Sequence, residues 1–132
     1  YGEANVPKVP VTLRKSYGGA HCVMSSKQLR GDINYAWPTA EIAVMGPQGA
    51  IEVLEGKAIS EIADATERKE YVARKEKEYR DKFANPYEAA RYGYLDDVIE
   101  PRNTRFRVIR ALRTLATKKD PGPMKKHGNI PL

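Results

Sequence analysis

The residues best suited to chemistry form one short turn, Tyr17-Gly18-Gly19-Ala20, set between an alternating apolar stretch and a run at helical spacing. Two successive glycines let the main chain take positive φ and let a ligand come close, and the unsatisfied N–H groups of a helix start then form an anion site. Such donors can hold a developing oxyanion, and losing one costs about 2.7–4 kcal/mol of transition-state stabilisation. By itself, Gly-Gly before a helix is equally the pattern of an ordinary tight turn. Cys22 follows beside His21 in the same helix start, the kind of place where thiolate nucleophiles are found. Adjacent helical residues point about 100° apart, so no Cys-His dyad is expected. The chain has no Gly-x-Ser-x-Gly elbow, no Walker loop and no Gly-x-Gly-x-x-Gly fingerprint. One cysteine excludes an internal disulfide framework, and two distant histidines, His21 and His127, argue against a metal centre.

Five arginines, at positions 102, 105, 107, 110 and 113, raise the question of nucleic acid. Their spacing spreads them over the polar side of the last helix, and no aromatic interleaving or recognition motif supports base reading. A non-enzymatic basic module that binds nucleic acid through that helix is therefore the distant alternative, and no nucleic-acid partner is expected. The excess of 23 basic over 17 acidic residues, net +6, favours anionic partners without naming one. With 132 residues, 41% of them hydrophobic and 30% charged, the chain has the composition of about one globular domain, and no apolar run approaches the ~18 residues that span a bilayer. It opens on Tyr1 without a signal-peptide pattern and reads as a piece of a longer polypeptide.

Several elements must position the turn. Val9, Val11 and Leu13 alternate with polar neighbours, predicting a strand over residues 8–15, and Ala20, Val23, Met24 and Lys27 predict a short helix stopped near Gly31. Ala40 to Met45 repeats the grammar as a strand, with Gly46-Pro47-Gln48-Gly49 as its turn and a helix from Ala50. Between them, Ile33 to Trp37 is a short strand ended by Pro38. Residues 57–83 read as one helix with a loose stripe of Ile59, Ile62, Thr66, Ala73, Tyr79 and Phe83. Twelve of the sixteen residues from Glu67 to Lys82 are charged, seven basic and five acidic, the composition of a solvated face. Pro86 opens a further helix closed by Gly93, and Asp97 to Ile99 is a strand. Asn103 is the expected N-cap of a last helix carrying Phe106, Val108, Ile109, Leu112, Leu115 and Ala116, with Lys118 and Lys119 at its negative end. The tail from Pro121 is expected to be irregular. These alternating elements predict an α/β layer structure.

The blocks Arg14-Lys15-Ser16-Tyr17-Gly18-Gly19-Ala20, Val23-Met24-Ser25-Ser26-Lys27, Ala36-Trp37-Pro38-Thr39-Ala40-Glu41-Ile42-Ala43-Val44-Met45-Gly46, Lys82-Phe83-Ala84-Asn85-Pro86-Tyr87, Asp96-Asp97-Val98-Ile99-Glu100-Pro101 and Lys126-His127-Gly128-Asn129-Ile130-Pro131-Leu132 follow one another in order. In these the chain resembles the carboxyltransferase β subunits of biotin-dependent acyl-CoA carboxylases, the propionyl-CoA type above all. The resemblance implies a crotonase-like (ClpP/crotonase) ββα-spiral fold with flanking helices. It makes residues 1–132 the C-terminal part of the second of two such domains. The implied reaction moves a carboxyl group from N-carboxybiotin, held on a carrier protein, to the α-carbon of a short acyl-CoA, without a metal. The turn Gly18, Gly19, Ala20 corresponds to the biotin-facing site, with the backbone N–H groups of Gly19 and Ala20 as its oxyanion hole; the thioester hole belongs to the first domain. Implied partners are a biotin carboxyl carrier protein, a biotin carboxylase and further copies of the subunit in a hexamer. The implied location is cytoplasmic, or the mitochondrial matrix in a eukaryote. The same fold run in reverse gives a second reading, the carboxyltransferase subunit of a sodium-pumping methylmalonyl-CoA decarboxylase. Cys22 stands where propionyl-preferring members commonly carry Asp, and His21 where Tyr is common. Cys22 is thus the implied position of acyl-chain selection, with substrate length left open. The charged stretch from Glu55 to Arg80 also departs from the family pattern. An isolated segment is expected to be inactive.

Overall fold

The computed structural model describes residues 1–120. Its strands are short and all parallel, and they fall into two sheets. β1 (Val11–Thr12), β3 (Tyr35–Ala36) and β5 (Asp97–Val98) make one, with Val11 beside Tyr35 and Tyr35 beside Asp97. The other is the pair β2 (Lys15–Tyr17) and β4 (Glu41–Ala43), with Lys15 beside Glu41 and Tyr17 beside Ala43. Chain order makes the logic plain. β1 enters the first sheet, β2 the second, and helix α1 (Gly18–Val23) follows; β3, β4 and helix α2 (Pro47–Glu61) repeat the cycle, and β5 returns to the first sheet. The repeating unit is therefore β-β-α.

That unit explains why the strand expected over residues 8–15 is two strands. The chain crosses between sheets at Leu13 and Arg14, so Val9 and Val11 pack on the core while Leu13 is exposed. Parallel ladders need both faces covered. One cluster supplies Ala36, Ala40, Ile42, Ala89 and Leu95, with Ala90 and Val98 packed against it; another supplies Tyr35, Ile99 and Ala111 with Val9, Val11, Ile33 and Trp37. Small residues at the centre, Ala36 wholly buried among them, let the elements approach closely.

The helix expected from Ala20 begins two residues earlier, at Gly18, and ends at Val23. Ser25 takes φ +67, which no helix continues through, and a 3₁₀ turn over Lys27–Leu29 follows. Gly31 beyond it fits only as glycine, because a Cβ there would lie 2.1 Å from the Ser25 carbonyl oxygen. α2 likewise starts ahead of the expected Ala50, with Gly46 at its N-cap and Pro47 opening it.

The single helix predicted over residues 57–83 is a hairpin instead. α2 ends at Glu61, and α3 spans Ala65–Lys82. Asp64 breaks the run: its Oδ1 accepts from the N–H groups of Thr66 (2.9 Å) and Glu67 (2.7 Å), capping α3. Tyr71 donates to Glu55 (2.9 Å) and Lys75 pairs with the same carboxylate (3.4 Å), tying α3 back onto α2. α3 buries none of its residues, as its charge pattern predicts. Helix α4 (Pro86–Arg91) follows the expected bounds, its Asn85 cap accepting from Glu88 N–H (2.8 Å) and Gly93 beyond it at φ +77. α5 (Thr104–Thr114) begins behind a 3₁₀ turn, and Asn103 at its N-cap makes no side-chain capping bond. Leu115 and Ala116 fall past its end. Lys118 does not complement that end either; its ammonium binds Asp32 (3.0 Å) and the Val6 carbonyl (3.2 Å), joining the end of the described chain to its beginning. The tail from Pro121, with His127, lies outside the described residues.

Candidate active site

β2 delivers the Gly-Gly turn. Tyr17 ends the strand in extended conformation and occupies the N-cap of α1, and Gly18 then turns to φ +54. A Cβ on Gly18 would stand 2.9 Å from the Val44 carbonyl oxygen, so both the conformation and the contact require glycine. The first N–H groups of a helix have no partner within it. Among the described residues no turn or loop carbonyl takes up the N–H of Gly19 or Ala20. Both residues are exposed, and a Cβ built on Gly19 meets nothing within 4 Å. Two donors and the room to approach them are therefore present together.

The neighbouring side chains separate. His21 Nδ1 lies 2.8 Å from Ser16 Oγ, so the imidazole turns back to β2 rather than toward Cys22. Burial pushes His21 below its ordinary value of 6.5, favouring the neutral imidazole. Cys22 is a half-buried free thiol. His21, Ser16 and Met24 line a cavity of about 690 Å³ that runs along Pro7 to Ser16 and reaches Tyr35 and Leu95; Gly19, Ala20 and Cys22 do not line it. Among the described residues no three His, Cys, Asp or Glu side chains gather as a metal would require, and no helix is long and apolar enough to cross a membrane. Of the five arginines, Arg107 pairs with Asp97 and lies over the Tyr35 ring at 5.5 Å, committed to holding α5 on the first sheet.

Sequence reasoning missed the contacts that hold the turn from behind. Tyr17 donates to Glu41 Oε2, Arg80 Nε lies 3.6 Å from the same carboxylate, and Tyr79 donates to the Met45 carbonyl (3.4 Å). Burial, and then the bond to Glu41, push the Tyr17 phenol up to about 12, so it stays a donor. The signal that could have found the pair is the register. Glu41 sits beside Lys15, and residues two apart on a strand share a face, which brings Glu41 and Tyr17 together.

Two parallel sheets threaded by repeated β-β-α units, with a glycine turn whose Gly19 and Ala20 amides meet no turn or loop carbonyl among the described residues, define an α/β protein whose candidate site is made of backbone. The chain belongs to the carboxyl transferase domain family, whose model matches residues 1–130. It is 58% identical over 132 residues to the propionyl-CoA carboxylase beta chain of Cereibacter sphaeroides, covering all of this chain and 24% of that one. It is 52% identical to the methylmalonyl-CoA decarboxylase subunit alpha of Propionigenium modestum, again over all of this chain and 25% of the relative. Among solved structures, transcarboxylase 12S, described as a hexamer with methylmalonyl-coenzyme A and methylmalonic acid bound, superposes with a TM-score of 0.84 at 47% identity, over all of this chain and 25% of that one. The chain thus spans about a quarter of the length of these relatives.

Proposed function

We propose that this chain is the C-terminal part of the second, crotonase-like domain of a carboxyltransferase subunit that carboxylates a short acyl-CoA of propionyl-CoA type, with N-carboxybiotin as donor. The alternation of strands between two sheets, each pair followed by a helix, supports the ββα-spiral reading. The observation that carries the function is the pair of amides at Gly19 and Ala20, on exposed residues and with no turn or loop carbonyl taking them up among the described residues, behind the Gly18 bend.

When bound, carboxybiotin supplies the carboxyl group and leaves negative charge on its ureido oxygen. Gly19 and Ala20 would hold that oxygen, because their N–H groups need no reorganisation to meet it. Gly18 lets them do so: its positive φ turns the chain from strand into helix within one residue. Cys22, two residues on in α1, is proposed to set acyl-chain preference, while the thioester is held by a segment outside this chain. Cys22→Asp in the complete subunit should shift the ratio of kcat/KM among acetyl-, propionyl- and butyryl-CoA; an unchanged ratio removes that role. A biotin carboxyl carrier protein, a biotin carboxylase and other copies of the subunit are the proposed partners, in the cytoplasm or the mitochondrial matrix.

The Propionigenium modestum relative supports a second reading, in which the carboxyl group passes from substrate to biotin at the same site. A neighbouring gene for a biotin carboxylase favours the first reading, and one for a membrane decarboxylase subunit the second.

Ala20→Pro tests the shared site. It deletes one N–H in the first turn of α1, where proline is tolerated, and should lower transfer by about 10²–10³-fold in the complete subunit. Undiminished turnover overturns the assignment.

A further inference from the structure

α1 has six residues and buries none of them, so its own packing cannot fix where its amides point. The residue that carries the chain into those amides is Gly18, the least constrained kind of residue. Orientation must come from its neighbours: the Val44 carbonyl closes on Gly18, Ser16 bonds His21, and Tyr17, the residue that leads into the turn, is held at three levels. Its backbone lies in β2 beside Ala43, its ring supports Gly46, and its hydroxyl donates to Glu41. A Cβ on Gly46 would come within 3.3 Å of that ring, so the contact is close, and Gly46 is the N-cap of α2. Glu41 is fixed in turn by β4 and by Arg80 at the C-terminal end of α3, where Tyr79 also reaches the Met45 carbonyl. The charged hairpin thus braces the site from behind.

We infer that Tyr17 and Glu41 form a positioning pair that aims the Gly19 and Ala20 amides at the oxyanion, with Arg80 holding the Glu41 carboxylate in place. The inference rests on the reading of those amides as the biotin-facing oxyanion hole. Misplacing donors by a fraction of an ångström weakens binding of the developing charge without touching the acyl-CoA, so the loss belongs in kcat.

The test uses the complete subunit assembled with its biotinylated carrier. Tyr17→Phe keeps the ring and removes the hydroxyl; Glu41→Ala removes the acceptor; Glu41→Gln keeps an acceptor oxygen at the same reach. Tyr17→Phe and Glu41→Ala should each lower kcat about tenfold, the size expected for one lost hydrogen bond acting on a barrier, with the KM for acyl-CoA within about twofold of wild type. Glu41→Gln should recover most of the rate, and the double variant Tyr17→Phe/Glu41→Ala should be no slower than either single one. Wild-type kcat in Tyr17→Phe, which is conservative enough to fold, overturns the inference, as does a loss shared between kcat and KM that follows a fall in melting temperature. Ala20→Pro run alongside separates the two claims. If it keeps its turnover the amide reading fails; if it loses turnover while Tyr17→Phe and Glu41→Ala do not, only the positioning role fails.

Discussion

Both β2 and β4 run through a glycine into a helix, yet the helices differ in nearly every other respect. α1 has six residues, none buried, and opens on two glycines; α2 has fifteen, buries Pro47, Ala50 and Ile51, and opens on a proline. Pro47 has no N–H to offer, and the Gly46 carbonyl is engaged by the Ala50 N–H (3.0 Å). One unit puts its first turn into the core. The other leaves Gly19 and Ala20 exposed and transfers the work of holding them to neighbours: Glu41 on Tyr17, Ser16 on His21, the Val44 carbonyl against Gly18. A helix start meant to meet a ligand cannot also be buried, so its rigidity has to be borrowed.

The two helix starts should respond to substitution in opposite ways. Ala20→Pro in α1 should remove about two to three orders of magnitude from kcat with little change in thermal stability. Ile51→Ala in α2, where the side chain is 4% exposed, should do the reverse, costing about 2–5 kcal/mol in denaturant unfolding while the folded fraction turns over normally. Equal kcat losses in the two variants would erase the distinction between the units. Gly18→Ala should combine both effects at smaller scale. Its left-handed conformation costs a β-carbon about 1–2 kcal/mol, the Val44 carbonyl must move, and kcat and unfolding midpoint should fall together.

Asp64→Ala, at the far end of the hairpin, should cost about 1 kcal/mol by removing the cap of α3, with transfer unchanged. The smallest effect is one of pH. Burial places His21 below 6.5, so the unfolded chain binds more protons than the folded one as pH falls past that value. Protection of α1 amides from hydrogen exchange, corrected for the intrinsic rate, should therefore be fullest above pH 6.5 and decline as the pH drops through the folded value. α2 has no histidine and should show no such step over that range. A His21→Gln variant should abolish the step in α1.

The sequence displayed local punctuation well and geometry between segments poorly. Asn85-Pro86 and Gly93 bound α4 where their chemistry says they should, because capping and positive φ are decided within a few residues. The break at Asp64 was written just as locally, as a capping residue with Glu67 three positions on, but the run of charge around it masked the signal. Residues 8–15 misled for a different reason. A period of two cannot reveal that a strand changes sheets partway, since that depends on where β3 and β4 lie. The same limit hid the brace behind the site. Gly18, Gly19 and Ala20 stood out as a possible amide turn, whereas Glu41 and Arg80 are 24 and 63 residues from Tyr17, and only parallel register and the folded hairpin bring them to it.

Whether the Gly19 and Ala20 amides cradle the biotin ureido oxygen is seen most directly in a crystal structure of the complete subunit with biotin bound. That oxygen should lie about 2.7–3.2 Å from both main-chain nitrogens, with the Tyr17 hydroxyl still on Glu41. A ureido oxygen held elsewhere, with those two amides facing water or another part of the subunit, would contradict it.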